Sequence, residues 1–228
     1  HPRNMNAPTA TTELQAINAM LSAVGEAPVS TLESPPTTVE MAQNILRAVL
    51  LDVLAYGWRF NTEWGYRLSP VGTLGGANVF TPPANLLDFK TSRSPDQLDL
   101  DLVIRPSVSY TPAGTMIFYD RAKNSETIPL DTLRIDPVWS FGFHQIPEVA
   151  RRYVLVRAAR QYAQDTRGDA ELANFKITDE QMALITLTKR EGRKDNYNIF
   201  NNPDVAMVHG RRGQRPLYLR MTDLRGGR

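Results

Sequence analysis

The sequence of 228 residues contains no cysteine, so disulfide bonds, thiolate metal sites and cysteine nucleophiles are all excluded. Long hydrophobic runs are also missing, because the longest, such as residues 45–51 and 152–159, are short and carry or adjoin charges. They fall far below the roughly 20 residues that a membrane span requires. Residues 1–9 have one arginine and no apolar stretch, unlike a signal peptide. We expect a soluble protein made in the cytoplasm.

Histidine is scarce, and the familiar catalytic motifs are missing. His1, His144 and His209 lie far apart with no ligand-spaced partner, which favours surface or locally bonded side chains over a metal site. No nucleophile elbow, Walker loop or dinucleotide fingerprint occurs, and the glycine-rich stretch 72–76 is not followed by a convincing helix. We expect no catalytic residue, no metal and no cofactor.

The aspartates at 96, 99 and 101 are the best candidates for hard-cation ligands. Their order lacks the glycine turn and distal glutamate of a calcium loop. They alternate with Leu98, Leu100 and Leu102, and such alternation is typical of a half-buried strand. The strand is the preferred interpretation.

Charge is unevenly distributed, although the net charge is only +2. Residues 203–228 contain six arginines and two aspartates, a net charge of +4, which leaves 20 basic and 22 acidic residues in residues 1–202. A faintly acidic body therefore carries a basic C-terminal segment. The content of 42% hydrophobic and 22% charged residues is ordinary for one main globular domain with insertions or tails.

Two helices are predicted at the N-terminal end. The first follows a Thr-Thr pair, ends at Gly25 and has this apolar stripe: Leu14, Ile17, Leu21 and Val24. The second starts with a capping-box pattern at Thr37 and Glu40 and closes at Gly57. Its apolar side is expected to contain Met41, Ile45, Ala48, Val49, Val53 and Tyr56.

Short strands are predicted in the middle, where glycine, proline, asparagine and aspartate punctuate aromatic and branched stretches. The expected strands cover residues 58–68, 100–105, 115–120 and 133–135, and the expected loops cover 71–83 and 91–97. Residues 121–125 should form a polar turn. A sheet inserted between two helix pairs is the simplest arrangement, because the apolar stripe of each helix needs a partner.

Helical periodicity returns at Pro147, and a last long helix, up to about Lys194, should have this apolar stripe: Leu172, Phe175, Met182 and Ile185. The fold class is therefore predicted to be α+β. We predict N-terminal bundle helices in residues 1–57, an inserted β-rich domain in 58–145, C-terminal bundle helices in 146–196 and an extended basic tail in 197–228.

An ordered series of motifs resembles tail tubular protein A, the head-to-tail adaptor of short-tailed bacteriophages. Residues 25–32 read Gly-Glu-Ala-Pro-Val-Ser-Thr-Leu, similar to the Gly-Glu-x-Pro-Val-Ser-x-Leu of that family, and directly follow the first predicted helix. Residues 57–61 are similar to its Gly-Trp-x-Phe-Asn junction, and 119–121, 146–148, 160–161 and 196–200 continue the series. The likeness covers most of residues 12–202, and residues 71–112 diverge.

The resemblance implies a virion protein that forms a dodecameric ring between the portal and the nozzle protein (tail tubular protein B) and encloses the DNA channel. It implies portal, nozzle and like subunits as partners, with a tail fibre as a further candidate, and no sequence-specific DNA binding. We predict that these residues form subunit or partner interfaces: Glu26, Pro28, Val29, Trp58, Phe60, Tyr197, Ile199, Phe200, Arg211, Arg212, Arg215, Leu217, Tyr218 and Arg220. For Trp58 and Phe60, ordinary core aromatics are an equally good interpretation.

Two other functions are open at this point. A virion-associated glycan hydrolase needs paired carboxylates, for which Glu26, Glu33 and Glu63 are candidates, but nothing in the sequence fixes their separation. A DNA-binding protein would use the C-terminal arginines on phosphates. Against this, Tyr218 is the only aromatic side chain between those arginines, and the body is faintly acidic. The mixture of arginines and apolar anchors is better suited to a clamp on neighbouring proteins.

Overall fold

The structure is a computed structural model that describes residues 11–33, 35–92, 94–167 and 170–194. The helices of this part are α1 (Glu13–Ala23), α2 (Thr37–Ala55), α3 (Glu148–Arg167) and α4 (Ala170–Lys194). Its strands are β1 (Tyr66–Leu68), β2 (Gly72–Leu74), β3 (Ala77–Val79), β4 (Leu86–Thr91), β5 (Leu102–Pro106), β6 (Met116–Asp120) and β7 (Leu133–Trp139). Together they confirm the predicted α+β class.

The chain divides into two compact units, His1–Thr188 and Lys189–Arg228. All packing described below belongs to the first unit. Of the second unit, the structure describes residues 189–194, which are helical. No helix in the described ranges is both long and apolar enough to cross a membrane.

Helix α1 has the predicted bounds and the predicted buried side. The Thr12 hydroxyl oxygen accepts a hydrogen bond from the Gln15 backbone N–H, and the Thr12 N–H donates one to Gln15 Oε1, which completes a capping box. Ile17 and Leu21 are buried, and Gly25 ends the helix in the left-handed conformation, at a φ of 78°. Helices α1, α2 and α3 pack against one another around one hydrophobic core.

Helix α2 corrects two predictions. Pro36 precedes the first turn and no side chain caps it, so the capping box at Thr37 and Glu40 is wrong. The expected apolar side is correct at Ile45, Val49 and Val53, but Met41, Ala48 and Tyr56 are exposed. Helix α2 packs against both α1 and α3, and this widens its buried side. The additional buried residues are Val39, Ala42, Leu46, Leu50 and Leu54.

The middle of the chain forms three small antiparallel sheets. Strand β7 is central in a sheet of order β1-β7-β4 and buries every second residue, from Leu133 to Trp139. The predicted strand over 58–68 is wrong in its first half, where a 3-10 turn covers Arg59–Asn61 and the strand begins at Tyr66. The predicted loop over 71–83 is also wrong, because β2 and β3 form a hairpin there. Strand β4 was not predicted.

The third sheet pairs β5 with β6 in the regions predicted for them, and residues 121–125 turn as expected. A second hydrophobic core lies among these strands and includes Phe80, Phe118 and Ile135. The strand predicted for the alternating leucines starts only at Leu102, because a 3-10 turn covers Pro95–Gln97 and Leu98 is 71% exposed. The pattern of alternation was too short to distinguish a turn from a strand.

Helix α3 starts at Glu148, immediately after Pro147, as predicted. Helix α4 contributes Ala183 and Leu187 to the helical core. Met182 and Ile185, which were expected to be covered, are 63% and 46% exposed, and the side chains of Leu172 and Phe175 lie outside the described ones. The covered side of α4 is therefore narrower than the periodicity indicated.

Candidate assembly surfaces

The segment after α1 is held against that helix by one asparagine. Asn18 Nδ2 donates to the Val29 carbonyl oxygen at 2.9 Å, and the Val29 N–H donates to Asn18 Oδ1 at 2.8 Å. The Val29 side chain is half-buried against the helical core, whereas Pro28 is exposed. The segment therefore anchors itself through Val29 and presents Pro28 to solvent.

Glu26 connects the same segment to α3. The Tyr162 hydroxyl donates to Glu26 Oε2 at 3.3 Å, and the Tyr162 side chain is almost completely buried. Burial raises the pKa of Tyr162, and the charge of Glu26 and the hydrogen bond to it raise it further. The hydroxyl therefore stays protonated and continues to donate at neutral pH.

The junction between α2 and the strands is built from Trp58, Phe60 and Asn61. Trp58 is buried, and its Nε1–H donates to the Val53 carbonyl oxygen at 2.7 Å. Phe60 is half-buried against the helical core. The fully buried Asn61 Nδ2 donates to the carbonyl oxygens of Leu54 and Trp139, each at 2.9 Å. Within one chain, Trp58 and Phe60 are thus core aromatics at the junction.

An open cleft of about 220 Å³, here named the Trp64 cleft, lies beside this junction and is lined by residues 55–57, 62–64, 88–90 and 136–138. Trp64 is 88% exposed and Tyr56 is 77% exposed. Its charged residues are Glu63, Asp88, Asp136 and Lys90. The cleft is therefore aromatic and carries an excess of negative charge.

Hydrogen bonds fix the two aspartates of the Trp64 cleft. Asp136 Oδ1 accepts from the Gly65 N–H at 2.7 Å, and Asp88 Oδ1 accepts from the Phe89 N–H at 2.8 Å. Each carboxylate keeps a second oxygen with further lone pairs. The two carboxylates are therefore held in place, and each can accept further hydrogen bonds.

Helix α4 is attached to α3 by charged pairs and leaves an apolar surface open. Glu180 pairs with Arg160 through its Oε2 and lies 3.9 Å from Arg157 Nε through its Oε1. Among the described side chains of α4, which are those of residues 177–192, four large apolar ones are exposed and are here named the α4 stripe: Ile177, Met182, Leu184 and Ile185. A groove of about 370 Å³ between α3 and α4 adds Val149, Val156 and Ala183 beside Met182. Exposed apolar groups in this density are typical of protein interfaces.

Three of the acidic residues considered as ligands or catalytic carboxylates have structural contacts: Asp96, Asp101 and Glu26. Asp101 forms an exposed ion pair with Arg121 at 2.8 Å, and Asp96 accepts a hydrogen bond from Ser94, which lowers the Asp96 pKa. Glu26 contacts Tyr162, and Glu63 lines the Trp64 cleft. No group of three potential metal-ligating side chains occurs in the described ranges.

The predicted interface residues Tyr197, Ile199, Phe200, Arg211, Arg212, Arg215, Leu217, Tyr218 and Arg220 lie outside the described residues. Of the others, Glu26, Pro28 and Val29 share one loop, and Trp58 and Phe60 share the junction. Sequence reasoning missed Trp64, although a tryptophan beside glycine in a polar stretch was a usable signal. It also missed Asn18, for which the helical pattern gave no signal.

Comparison with protein families matches the model of the tail tubular proteins to residues 14–197. The match covers both ends of the helical core and all the strands described above. A comparison with curated proteins finds no match.

Proposed function

Because the chain belongs to the tail tubular protein family, a structural family of bacteriophage tails, we propose that it is the adaptor ring subunit that joins the portal to the tail nozzle. In this role it is a structural protein of the virion and has no catalytic activity. The observation that carries the proposal is the extent of the family match, residues 14–197, which includes every assembly surface described above.

The proposed subunit has a helical part and an inserted β-rich part. In this proposal the helices of residues 1–57 and 146–196 belong to one bundle, and the strands of residues 58–145 are inserted between them. The shared core of α1, α2 and α3 supports the bundle. The junction at Asn61 supports the insertion, because it ties the end of α2 to the end of β7.

The proposed ring consists of twelve copies, each with a heterologous contact to the next. The α4 stripe supports such a contact, because Met182 and Ile185 remain exposed within one chain. One end of the ring binds the portal and the other binds the nozzle protein. A tail fibre is a further neighbour in this arrangement.

DNA passes through the proposed ring without sequence-specific binding. The charge of residues 1–202 supports this, since 20 basic residues are outweighed by 22 acidic ones. Tight phosphate binding by each of many subunits would oppose the movement of DNA. A faintly acidic body avoids that cost.

The test is image analysis of the purified chain mixed with its portal protein. We expect twelvefold rings stacked on the portal, and we expect Met182→Asp with Ile185→Asp to abolish them because a buried charge is costly. The control is Leu98→Asp, which changes an exposed leucine in the turn before β5, outside the α4 stripe. Failure of the unchanged chain to form rings on the portal, or its absence from the neck of the purified particle, contradicts the proposal.

A further inference from the structure

We propose that the Trp64 cleft binds the arginine-rich C-terminal segment, residues 203–228, of a second copy of the chain. The inference rests on the proposed ring, which makes copies of the chain neighbours. It assigns an occupant to the cleft and a binding site to the arginines.

The aromatic surface of the cleft is too exposed to be an ordinary part of the fold. Trp64 and Tyr56 are exposed by 88% and 77%, and both line the same cleft. Trp58, six residues before Trp64, is buried, and its ring lies 4.7 Å from that of Tyr56. Exposed tryptophan and tyrosine are characteristic anchors of protein interfaces.

The charge of the cleft selects a cation. The cleft is lined by three carboxylates and one amine. The carboxylates belong to Glu63, Asp88 and Asp136, and the amine belongs to Lys90. The last turn of α2 carries no basic residue and ends at the wall of the cleft. The carbonyl end of a helix favours positive charge, so it acts in the same direction as the carboxylates.

Arginine fits this combination better than lysine does. Its planar guanidinium stacks on an aromatic ring and donates two parallel hydrogen bonds to a carboxylate at the same time. The protein already contains one such stack, because the guanidinium carbon of Arg105 lies 3.0 Å from the centroid of the Tyr119 ring. Trp64 offers such a ring to an arginine from outside, and Asp88 and Glu63 line the same cleft with carboxylates that can pair with it.

The C-terminal segment supplies the matching chemistry. It contains six arginines against two aspartates, whereas residues 1–202 carry more acidic than basic residues. Leu217, Tyr218 and Leu219 stand between Arg215 and Arg220, so apolar anchors accompany the cations. Opposite charge and aromatic contact together identify residues 203–228 as the occupant.

The first experiment locates the binding site in assembled rings. Tyr218 is replaced by the photoreactive p-benzoyl-phenylalanine in the full chain, and light-isotope and heavy-isotope chains are mixed before assembly on the portal. We expect cross-links from position 218 to residues 55–64, 88–90 or 136–138, in pairs that combine light and heavy chains. Cross-links to another surface, to the portal or only within one chain overturn the inference.

The second experiment needs no ring. A labelled peptide of residues 203–228 is titrated with the full chain, and its affinity is measured by fluorescence anisotropy. We expect Trp64→Ala to weaken binding by about tenfold or more, as for an aromatic anchor. The matched control Leu98→Ala removes a similarly exposed apolar side chain and should leave the affinity unchanged.

A peptide with every arginine replaced by lysine should bind several-fold more weakly than the natural peptide. Equal affinity of the two peptides, or of the Trp64→Ala and unchanged chains, overturns the inference. The outcomes of the two proposals can be distinguished. If rings form but the cross-links map elsewhere, only this binding site is excluded. If no rings form but the peptide still binds specifically to the cleft, only the adaptor function is excluded.

Discussion

Asn61 and Trp139 are joined by a hydrogen bond of 2.9 Å between the side-chain amide of the first and the carbonyl oxygen of the second, across 78 residues of sequence. The same amide donates to Leu54 in the last turn of α2. One buried side chain therefore fixes where the chain leaves the helices and where it returns to them. Neighbouring backbone is paired too, because Thr62 and Val138 form a β-bridge.

Replacing Asn61 by alanine should destabilise the fold markedly. The substitution removes two buried hydrogen bonds, of whose acceptors the Leu54 carbonyl oxygen keeps the Gly57 N–H as a donor, and we expect a loss of about 1–3 kcal/mol in the free energy of unfolding. Urea denaturation monitored by circular dichroism measures this loss. The control Asn44→Ala, at an exposed position of α2, should change stability by less than about 0.5 kcal/mol. Equal stability of the two variants would show that the bridge is energetically unimportant.

Stability should fall above pH 10 because of Tyr162. Its pKa in the folded chain is raised above the ordinary value of 10.0, chiefly by burial and then by Glu26. As pH rises through 10.0, the unfolded chain releases the proton while the folded chain retains it, so the free energy of unfolding decreases. The contribution is fully present below pH 10.0 and is lost as pH rises through the raised pKa.

Urea denaturation at a series of pH values tests this contribution of Tyr162. In Tyr162→Phe, the free energy of unfolding should depend less steeply on pH above 10 than it does in the unchanged chain. Glu26→Gln should also reduce the steepness, because it removes the charge beside the hydroxyl. If the free energy of unfolding depends on pH in the same way in the unchanged chain and in Tyr162→Phe, the assignment to Tyr162 is wrong.

The pairs at Glu180 should stabilise α4 more than the rest of the fold. Glu180→Ala removes both arginine contacts, and for partly exposed pairs we expect a loss of about 1 kcal/mol or less. Hydrogen exchange should accelerate in α4 while α1 stays protected. Asp52→Ala is the matched control, because Asp52 is 65% exposed and, among the residues that the structure describes, pairs with Arg157 alone.

Added salt should reduce the difference in α4 hydrogen-exchange rate between Glu180→Ala and the unchanged chain, since screening weakens the ion pairs. Uniform acceleration of exchange across all helices would instead indicate that Glu180 supports the whole core.

The sequence predicted the helices well, because their signals are local. Thr12 and Gln15 form a cap within one turn, and the spacing of Ile17 and Leu21 identifies the buried side of α1. The strands were predicted poorly where their length is three residues, as in β1, β2 and β3, since so short a stretch contains barely one alternation. The missed hairpin depends on pairing across Gly75 and Gly76, both at positive φ.

The assembly surfaces were predictable only in part. The motif around Glu26, Pro28 and Val29 identified the loop after α1, but its anchor Asn18 is eleven residues away from Val29. The exposure of Met182 and Ile185 was not predictable, because an apolar stripe has the same spacing whether it faces a core or a partner. Sequence periodicity specifies which residues share a side of a helix, and only packing decides what covers them.

The bridge at Asn61 also bears on how such proteins diversify. An insertion whose two ends meet at one point leaves its outer parts unconstrained in length, so residues away from Leu87, which packs against the helical core, can be gained, lost or exchanged while the helices keep their packing. Selection can thus act on the inserted strands for a new host or a new neighbour at little cost to the scaffold. Chimeras spliced at this point are the natural way to transplant specificity between relatives.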